Sequence, residues 1–272
     1  MESCIGIEYT KRRTIIVDFT YICSMFTFLK SKPILRDLIP DHHIDIHSHL
    51  LPGIDDGAQA MSDTQALVKA LQSFGISEII TTPHIIQHVW NNTKEGIIEK
   101  EQSTLLDLNA NGFVLPFKAA AEYLMDDQFI KLFQEGTLLT LKDNYVLVEM
   151  SYINAPIQLY NILFDLQVAG YTPVLAHPER YLFYHNNSSE YDKLLRAGCV
   201  FQLNLLSVVG YYGEAIAKIA NQLLQKGMYT YVGTDVHHLK HIAAFENKVL
   251  LKDLKPLEEA IGNNQFFKST SL

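Results

Sequence analysis

The chain has 272 residues, 48% of them hydrophobic, and a formal net charge of −8. That is enough apolar material for a full α/β core, and a balance too acidic for a phosphate-backbone partner, so no nucleic-acid role is expected. The three cysteines, Cys4, Cys23 and Cys199, form no C-x-x-C and no even framework, which points to a reducing compartment and away from a zinc ribbon.

The basic triplet Lys11-Arg12-Arg13 and the apolar run that follows it to Leu29 have the outline of a leader or anchor. Asp18 interrupts that run, which is too short to span a bilayer, and no small-residue cleavage site follows. A cytoplasmic chain without membrane insertion is expected. Met25 opens a stretch that would serve equally as a start, so residues 1–24 are expected to be a poorly packed upstream extension and residues 25–272 a single domain.

From residue 43 onward, β-rich runs alternate with amphipathic helical patterns, and no low-complexity linker separates them. The runs are 43–47, 78–82, 117–122, 145–149, 172–177, 200–204 and 229–233. Helices are predicted over 62–74, 93–108, 127–133, 156–168, 189–195 and 214–225, the first with Ser62 and Gln65 as a capping box. Gly75, Gly112, Gly170, Gly198 and Gly227 fall where helices need a left-handed residue to stop. Such alternation means parallel strands joined by crossover helices.

The stretch His43-Ile44-Asp45-Ile46-His47-Ser48-His49 opens this pattern. In a strand, residues two apart share a face, so His47 and His49 can reach one metal ion together. Taken alone, an H-x-H pair is more often an ordinary surface pair. The case grows because further ligand types recur at the C-terminal ends of later runs: His84, Glu122, Glu149, His177, then Asp235 and His237. Successive candidates lie roughly 30 residues apart, one βαβ unit, and about twice that between His177 and Asp235, where the intervening strand ends in Asn204. A closed barrel would gather those ends on one rim, whereas an open sheet would spread them.

An ionised group at the end of a buried strand is costly unless paired or metal-bound. Any single one reads best as a satisfied polar residue at a barrel mouth; the full set does not arise readily by chance. With Asp56 from the first loop, the candidate ligands are His47, His49, Asp56, His84, Glu122, Glu149, His177, Asp235 and His237, enough for two or three ions. Mixed imidazole and carboxylate donors suit manganese, iron, cobalt or zinc. Asp45 shares a face with His47 and His49, and is expected either to orient an imidazole or to stand as a solvated carboxylate. Arg180 is suited to hold phosphate oxygens by paired hydrogen bonds, or else forms a salt bridge with an acid such as Glu179.

At these residues the sequence becomes specific. Asp45-x-His47-x-His49, Thr82-Pro83-His84, Ala121-Glu122, Glu149-Met150-Ser151, Ala176-His177-Pro178-Glu179-Arg180-Tyr181 and Gly233-Thr234-Asp235-Val236-His237 together resemble the polymerase and histidinol phosphatase (PHP) family. The phrase running on through Pro52-Gly53-Ile54-Asp55-Asp56-Gly57-Ala58 resembles the bacterial manganese-dependent tyrosine-protein phosphatases of capsule and exopolysaccharide gene clusters. The resemblance covers about residues 40–250. It implies an α/β fold, a distorted seven-stranded (β/α)7 barrel, and a trinuclear manganese site held by the nine candidates, with Arg180 on the phosphate. It further implies hydrolysis of phosphotyrosine on a bacterial tyrosine kinase that controls polysaccharide synthesis, by direct attack of a metal-bound hydroxide, with Asp235 or His237 assisting. The cysteine-dependent phosphatases are excluded, because the residues six after the cysteines are Thr10, Leu29 and Leu205, and no C-x5-R exists.

Other readings of the same motifs are a phosphoesterase for a small monoester such as histidinol phosphate, and a non-catalytic metal-binding partner of a kinase. An amidohydrolase barrel also opens on H-x-H, but many members carry a modified lysine where this chain has Glu149. His42, His43, His88, His185, His238 and His241 are expected to be solvated or to support ligands from behind. Tyr123, Tyr152, Tyr181, Tyr211 and Tyr212 are read as loop aromatics that could stack on a substrate ring.

Overall fold

The computed structural model describes residues 32–269, so the expected 1–24 extension lies outside the described residues. Chain order is β1 (His43–Asp45), α1 (Met61–Ser73), β2 (Ile76–Thr81), β3 (His84–Ile85), α2 (Lys94–Ala110), β4 (Phe117–Ala119), β5 (Glu122–Leu124), α3 (Asp127–Gln134) and β6 (Tyr145–Glu149). It continues with α4 (Leu159–Val168), β7 (Thr172–Ala176), α5 (Ser189–Arg196), β8 (Val200–Asn204), α6 (Glu214–Gln225), β9 (Tyr229–Gly233), α7 (Leu239–Ala244) and α8 (Lys255–Asn263). Among the described residues no helix is long and apolar enough to cross a membrane.

All seven predicted runs contain strands, and every strand pairing is parallel. They do not pair as one closed ring. The strands form a three-stranded sheet, β1-β2-β4, and a six-stranded sheet, β3-β5-β6-β7-β8-β9. The second run holds β2, with β3 of the other sheet just beyond it, and the third run holds β4 and ends where β5 of the other sheet begins. Pro83 separates β2 from β3, since it has no N–H for a ladder. There the Thr82 N–H donates instead to Ser48 O at 2.7 Å, and the Pro83 carbonyl accepts from Glu122 N at 3.1 Å. Between β9 and β1 there is no continuous ladder, only a parallel bridge between Ser48 and Val236 and bonds from Asp235 N to His47 O (2.7 Å) and from His49 N to Val236 O (2.9 Å).

Alternation along the strands sorts the apolar side chains into two layers. Ile44, Ile80, Leu147, Val174, Ala176 and Tyr231 pack in one buried cluster between the strands, closed by Phe267. Val146, Val148, Leu175, Phe201, Leu203 and Val232 face the other way and meet Ile162, Leu166, Leu194 and Leu223 from the helices. Each fully buried side chain of this kind contributes about 1.5–3 kcal/mol. The strand ends are thus seated on a rigid two-sided core.

The predicted caps need one correction. Helix α1 begins after Ala60, not at Ser62, because Asp63 turns back to accept from the N–H groups of Ala60 (3.0 Å) and Gln59 (3.2 Å). Helices α2 and α3 are capped by Thr93 and Asp126, which accept from Gly96 N (3.1 Å) and Phe129 N (2.9 Å). Helices α7 and α8 lie outside the predicted set.

Candidate metal centre

The structure brings the nine candidates together at the C-terminal ends of the strands. His47 and His49 follow β1 with their Nε2 atoms 3.4 Å apart. Glu122 Oε2 stands 3.2 Å from His47 Nε2 and 3.4 Å from His49 Nε2, and Asp235 Oδ1 lies 3.3 and 3.4 Å from the same two atoms. His177 Nε2 approaches Glu122 Oε1 at 3.1 Å. His84 Nδ1 faces Glu122 Oε2 at 3.2 Å and Glu149 Oε1 at 3.1 Å. Asp56, half-exposed on its loop, comes within 3.6 Å of His84 Nε2 and 3.5 Å of His237 Nε2.

Four overlapping donor groups result: His49, Asp56, His84 and His237; His47, Glu122 and His177; His47, His49 and Asp235; and His84, Glu122 and Glu149. The outer hydrogen bonds of the imidazoles decide what the inner nitrogens can do. His47 Nδ1 pairs with Gln202 Oε1 (2.9 Å), His49 Nδ1 with Asp55 Oδ2 (2.8 Å) and His237 Nδ1 with the Asp235 carbonyl (2.9 Å). Each acceptor holds the proton on Nδ1 in the neutral ring, so each Nε2 lone pair points inward. Lone pairs and carboxylate oxygens aimed at one another repel unless a cation stands among them. Glu122 Oε2 and His84 Nδ1 are buried without a hydrogen-bond partner, as a donor set built for cations would leave some of its atoms.

The buried charges of the cluster shift one another's proton affinities. Burial disfavours a charged His47, but Glu122 and Asp235 outweigh it and lift the imidazole to about 9. Burial likewise disfavours charge on His49, yet Asp55, Asp235 and Glu122 raise it well above the usual imidazole range. Glu122 and Asp235, buried but surrounded by imidazoles, are held well below ordinary carboxylates. His237 is pushed down to about 3 by burial and by His49.

Local backbone choices set these positions. His177 (φ 36°) and Asp235 (φ 50°) adopt left-handed conformations that cost a non-glycine residue on the order of 1 kcal/mol or more. They are held there by bonds from His177 N to Gln202 O (2.8 Å) and from Asp235 N to His47 O. Two glycines admit close approaches. A Cβ on Gly57 would sit 2.1 Å from His49 O, and one on Gly233 would sit 2.6 Å from His47 Cβ.

Asp45 does not orient an imidazole. Its carboxylate is buried and accepts from Thr234 N (3.0 Å) and Thr234 Oγ1 (2.8 Å), tying the end of β9 to β1. The orienting carboxylate is Asp55, which is buried beside the exposed Asp56. Gln202 is a functional residue that sequence reasoning misses, because it has no charge to advertise it. The one available signal is its place two residues before the strand-ending Asn204 and therefore on the same face.

Arg180 does not pair with Glu179. Its Nη1 donates to Asp235 Oδ2 at 2.9 Å, and its guanidinium lies between Tyr152 and Tyr212, 4.8 and 4.1 Å from the ring centroids. Glu179 is buried and accepts from Asn204 N (3.0 Å), Ser207 Oγ (2.7 Å) and Tyr229 Oη (2.8 Å). Tyr123 and Tyr181 are buried, their hydroxyls bonded to Leu139 N and to Met150 N and Ala176 O. His43 is buried rather than solvated, and His238 and His241 line the cavity. That cavity, of about 500 Å³, opens above the cluster and is bordered by Trp90, Tyr152, Arg180 and Tyr212.

Residues 43–248 match the family described as capsular polysaccharide synthesis, CpsB/CapC. The chain is 30% identical over 198 residues to the tyrosine-protein phosphatase YwqE of Bacillus subtilis (strain 168), covering 72% of this chain and 78% of that protein. It is 28% identical over 204 residues to the tyrosine-protein phosphatase CpsB of Streptococcus pneumoniae, covering 72% and 83%. A solved structure from work on YwqE and CpsB as unique metal-dependent tyrosine phosphatases superposes with a TM-score of 0.70 at 27% identity, over 83% of this chain and 88% of the other. An amidohydrolase from Mycoplasma synoviae, at 13% identity and a TM-score of 0.51 over 86% and 90% of the two chains, shares the fold alone.

Proposed function

The chain belongs to the CpsB/CapC capsular polysaccharide synthesis family, and from that premise we propose that it is a metal-dependent protein-tyrosine phosphatase. Its substrate is phosphotyrosine on a bacterial tyrosine kinase of the capsule pathway. The observation that carries this reading is the convergence of His47 and His49 Nε2 on Glu122 and Asp235 oxygens, all within 3.4 Å, with Arg180 on the same Asp235. The two sheets are read as a distorted seven-stave barrel whose C-terminal rim carries the site.

The nine residues would hold two or three divalent ions, with manganese the preferred assignment and iron, cobalt or zinc also compatible with the donors. Such ions supply a water of lowered pKa and positive charge for the phosphoryl group. The protein's own groups do the positioning. Arg180 presents guanidinium N–H groups to phosphoryl oxygens while its bond to Asp235 and its two tyrosine neighbours fix the plane of the fork. Asp55, Gln202 and the Asp235 carbonyl keep protons on the outer nitrogens of His49, His47 and His237. The leaving phenolate has a conjugate acid of pKa about 10, so it departs with little help, and any assistance is assigned to Asp235 or His237. The enzyme is assigned to the cytoplasm, in keeping with a free, buried Cys199.

Metal content and turnover of a phosphotyrosyl peptide against histidinol phosphate, for the parent chain and His177→Ala, test the proposal. The variant is expected to lose metal and activity together while its far-UV spectrum stays unchanged. Full activity in that variant, or faster turnover of histidinol phosphate, would overturn it.

A further inference from the structure

The floor of the cavity accounts for a phosphoryl group but not for what the phosphate is attached to. One flank of the cavity is apolar, formed by Ile86, Trp90 and Leu124. Trp90 is the only tryptophan in the chain. It sits at the end of a short turn that starts two residues after His84 and is tied shut by reciprocal bonds, Ile86 N to Trp90 O (3.0 Å) and Trp90 N to Ile86 O (2.9 Å).

That turn is pinned to the scaffold on both sides. Gln87 N donates to Asp126 Oδ2 at 3.1 Å, the same carboxylate that caps α3 through Phe129 N. Beyond the turn, Asn92 Nδ2 donates to His84 O (2.8 Å) and Ile54 O (2.9 Å), and Asn91 Oδ1 accepts from His88 N (2.8 Å). A flank held this way needs little ordering when a ligand arrives.

The remaining aromatic faces of the cavity are already engaged. Tyr152 and Tyr212 lie against Arg180, and His238 and His241 meet at a tilt of 46° with centroids 4.0 Å apart. Among the described residues no ring or cation stacks on the Trp90 indole. It is partly buried, stands in the cavity, and has its face unclaimed.

The geometry points to Trp90, backed by Ile86 and Leu124, as the aryl-recognition element of this site: it receives the phenyl ring of an aryl phosphate whose phosphoryl group reaches Arg180. This rests on the phosphatase reading and deepens it, since it makes the anchored turn the part that favours tyrosyl over alkyl esters. Aromatic contacts of this size change binding about two- to twelvefold.

Two measurements on the full chain with manganese test it. The first compares kcat/KM for phenyl phosphate and ethyl phosphate in the parent, Trp90→Ala and Trp90→Phe. The aryl-to-alkyl ratio is expected to fall about two- to twelvefold in Trp90→Ala and to recover in part in Trp90→Phe. The second follows the fluorescence of the lone tryptophan during titration with phenylphosphonate, methylphosphonate and inorganic phosphate. A change with phenylphosphonate alone is expected. An unchanged ratio, or equal responses to all three ligands, overturns the aryl role while leaving the phosphatase reading intact. A parent chain that hydrolyses neither ester sinks that reading instead, and the fluorescence titration still decides whether the turn binds an aryl group.

Discussion

Arg180 and Asp235 meet at 2.9 Å, so the guanidinium assigned to the phosphoryl group is anchored on a carboxylate whose other oxygen faces His47 and His49. Asn204 Nδ2 donates to the same Asp235 oxygen at 2.6 Å and to Tyr212 Oη at 3.0 Å. The phosphate side and the metal side of the site therefore share one residue, each using a different oxygen of it.

Replacing Arg180 by lysine keeps the charge but removes the planar fork and its place between Tyr152 and Tyr212. Loss of hydrogen bonds to a charged group of this kind costs roughly 1.5–3 kcal/mol, so Arg180→Lys is expected to lower kcat/KM for a phosphotyrosyl peptide about 10- to 100-fold. Bound metal per chain should not change. Steady-state kinetics beside elemental analysis would show it, and a parallel fall in metal content would mean that Arg180 acts by holding Asp235.

Asp55 and Gln202 meet the rings of His49 and His47 at their outer nitrogens. Asp55→Ala and Gln202→Leu remove the acceptors that fix those rings, and each is expected to weaken metal affinity about 10- to 100-fold. Competition against a chelating indicator gives the affinity. Parent-like affinity in both variants would exclude the orienting role.

His43 is 1% exposed and neither ring nitrogen has a hydrogen-bond partner among the described residues. Burial lowers its imidazole from 6.5 to about 4, so the folded chain refuses a proton that the unfolded chain accepts. Between those values the unfolded state binds more protons, and stability falls as pH drops from 6.5 toward 4; above 6.5 the group has no effect. The full loss is on the order of 3 kcal/mol. His43→Leu is expected to flatten that part of the urea-midpoint profile measured between pH 7.5 and 5, and an unaltered slope would assign the acid sensitivity to other groups.

Gly57→Ala puts a methyl 2.1 Å from His49 O and 2.5 Å from His49 Cβ, both parts of the chain that carries a candidate ligand. Backbone movement is the only relief, at about 1–3 kcal/mol. The variant should melt earlier and bind less metal, measurable by calorimetry with and without manganese. A parent-like melt would show that the loop yields freely.

The candidate ligands are legible in the sequence because an ionisable residue closing a buried apolar run is too costly to keep there unless a cation or a partner meets it. Val146-Leu147-Val148 before Glu149 and Val174-Leu175-Ala176 before His177 each carry that contrast in the chain itself. Pairing that skips the ladder is not legible. A proline marks the break after Thr82, but nothing local says that Ala120 and Ala121 will divide the third run between two sheets. The expectation for Asp45 fails because a shared face with two imidazoles predicts proximity, while the actual partner, Thr234, arrives from the end of β9, 189 residues later in the chain. Trp90 carries no signal of its own, since its position depends on a turn fixed by Asp126 and Asn92.

Asn264 lies just beyond α8, and its single side chain joins β9 to β1. Its oxygen accepts from Val232 N at 3.1 Å and its nitrogen donates to Ile44 O and Val232 O, each at 2.9 Å. During synthesis every candidate donor, His237 included, leaves the ribosome before this amide does. The nascent protein thus holds a full complement of imidazoles and carboxylates while the clasp between its first and last strands is still missing. A ribosome stalled between the two would display an enzyme with all its chemistry translated and its frame unlatched.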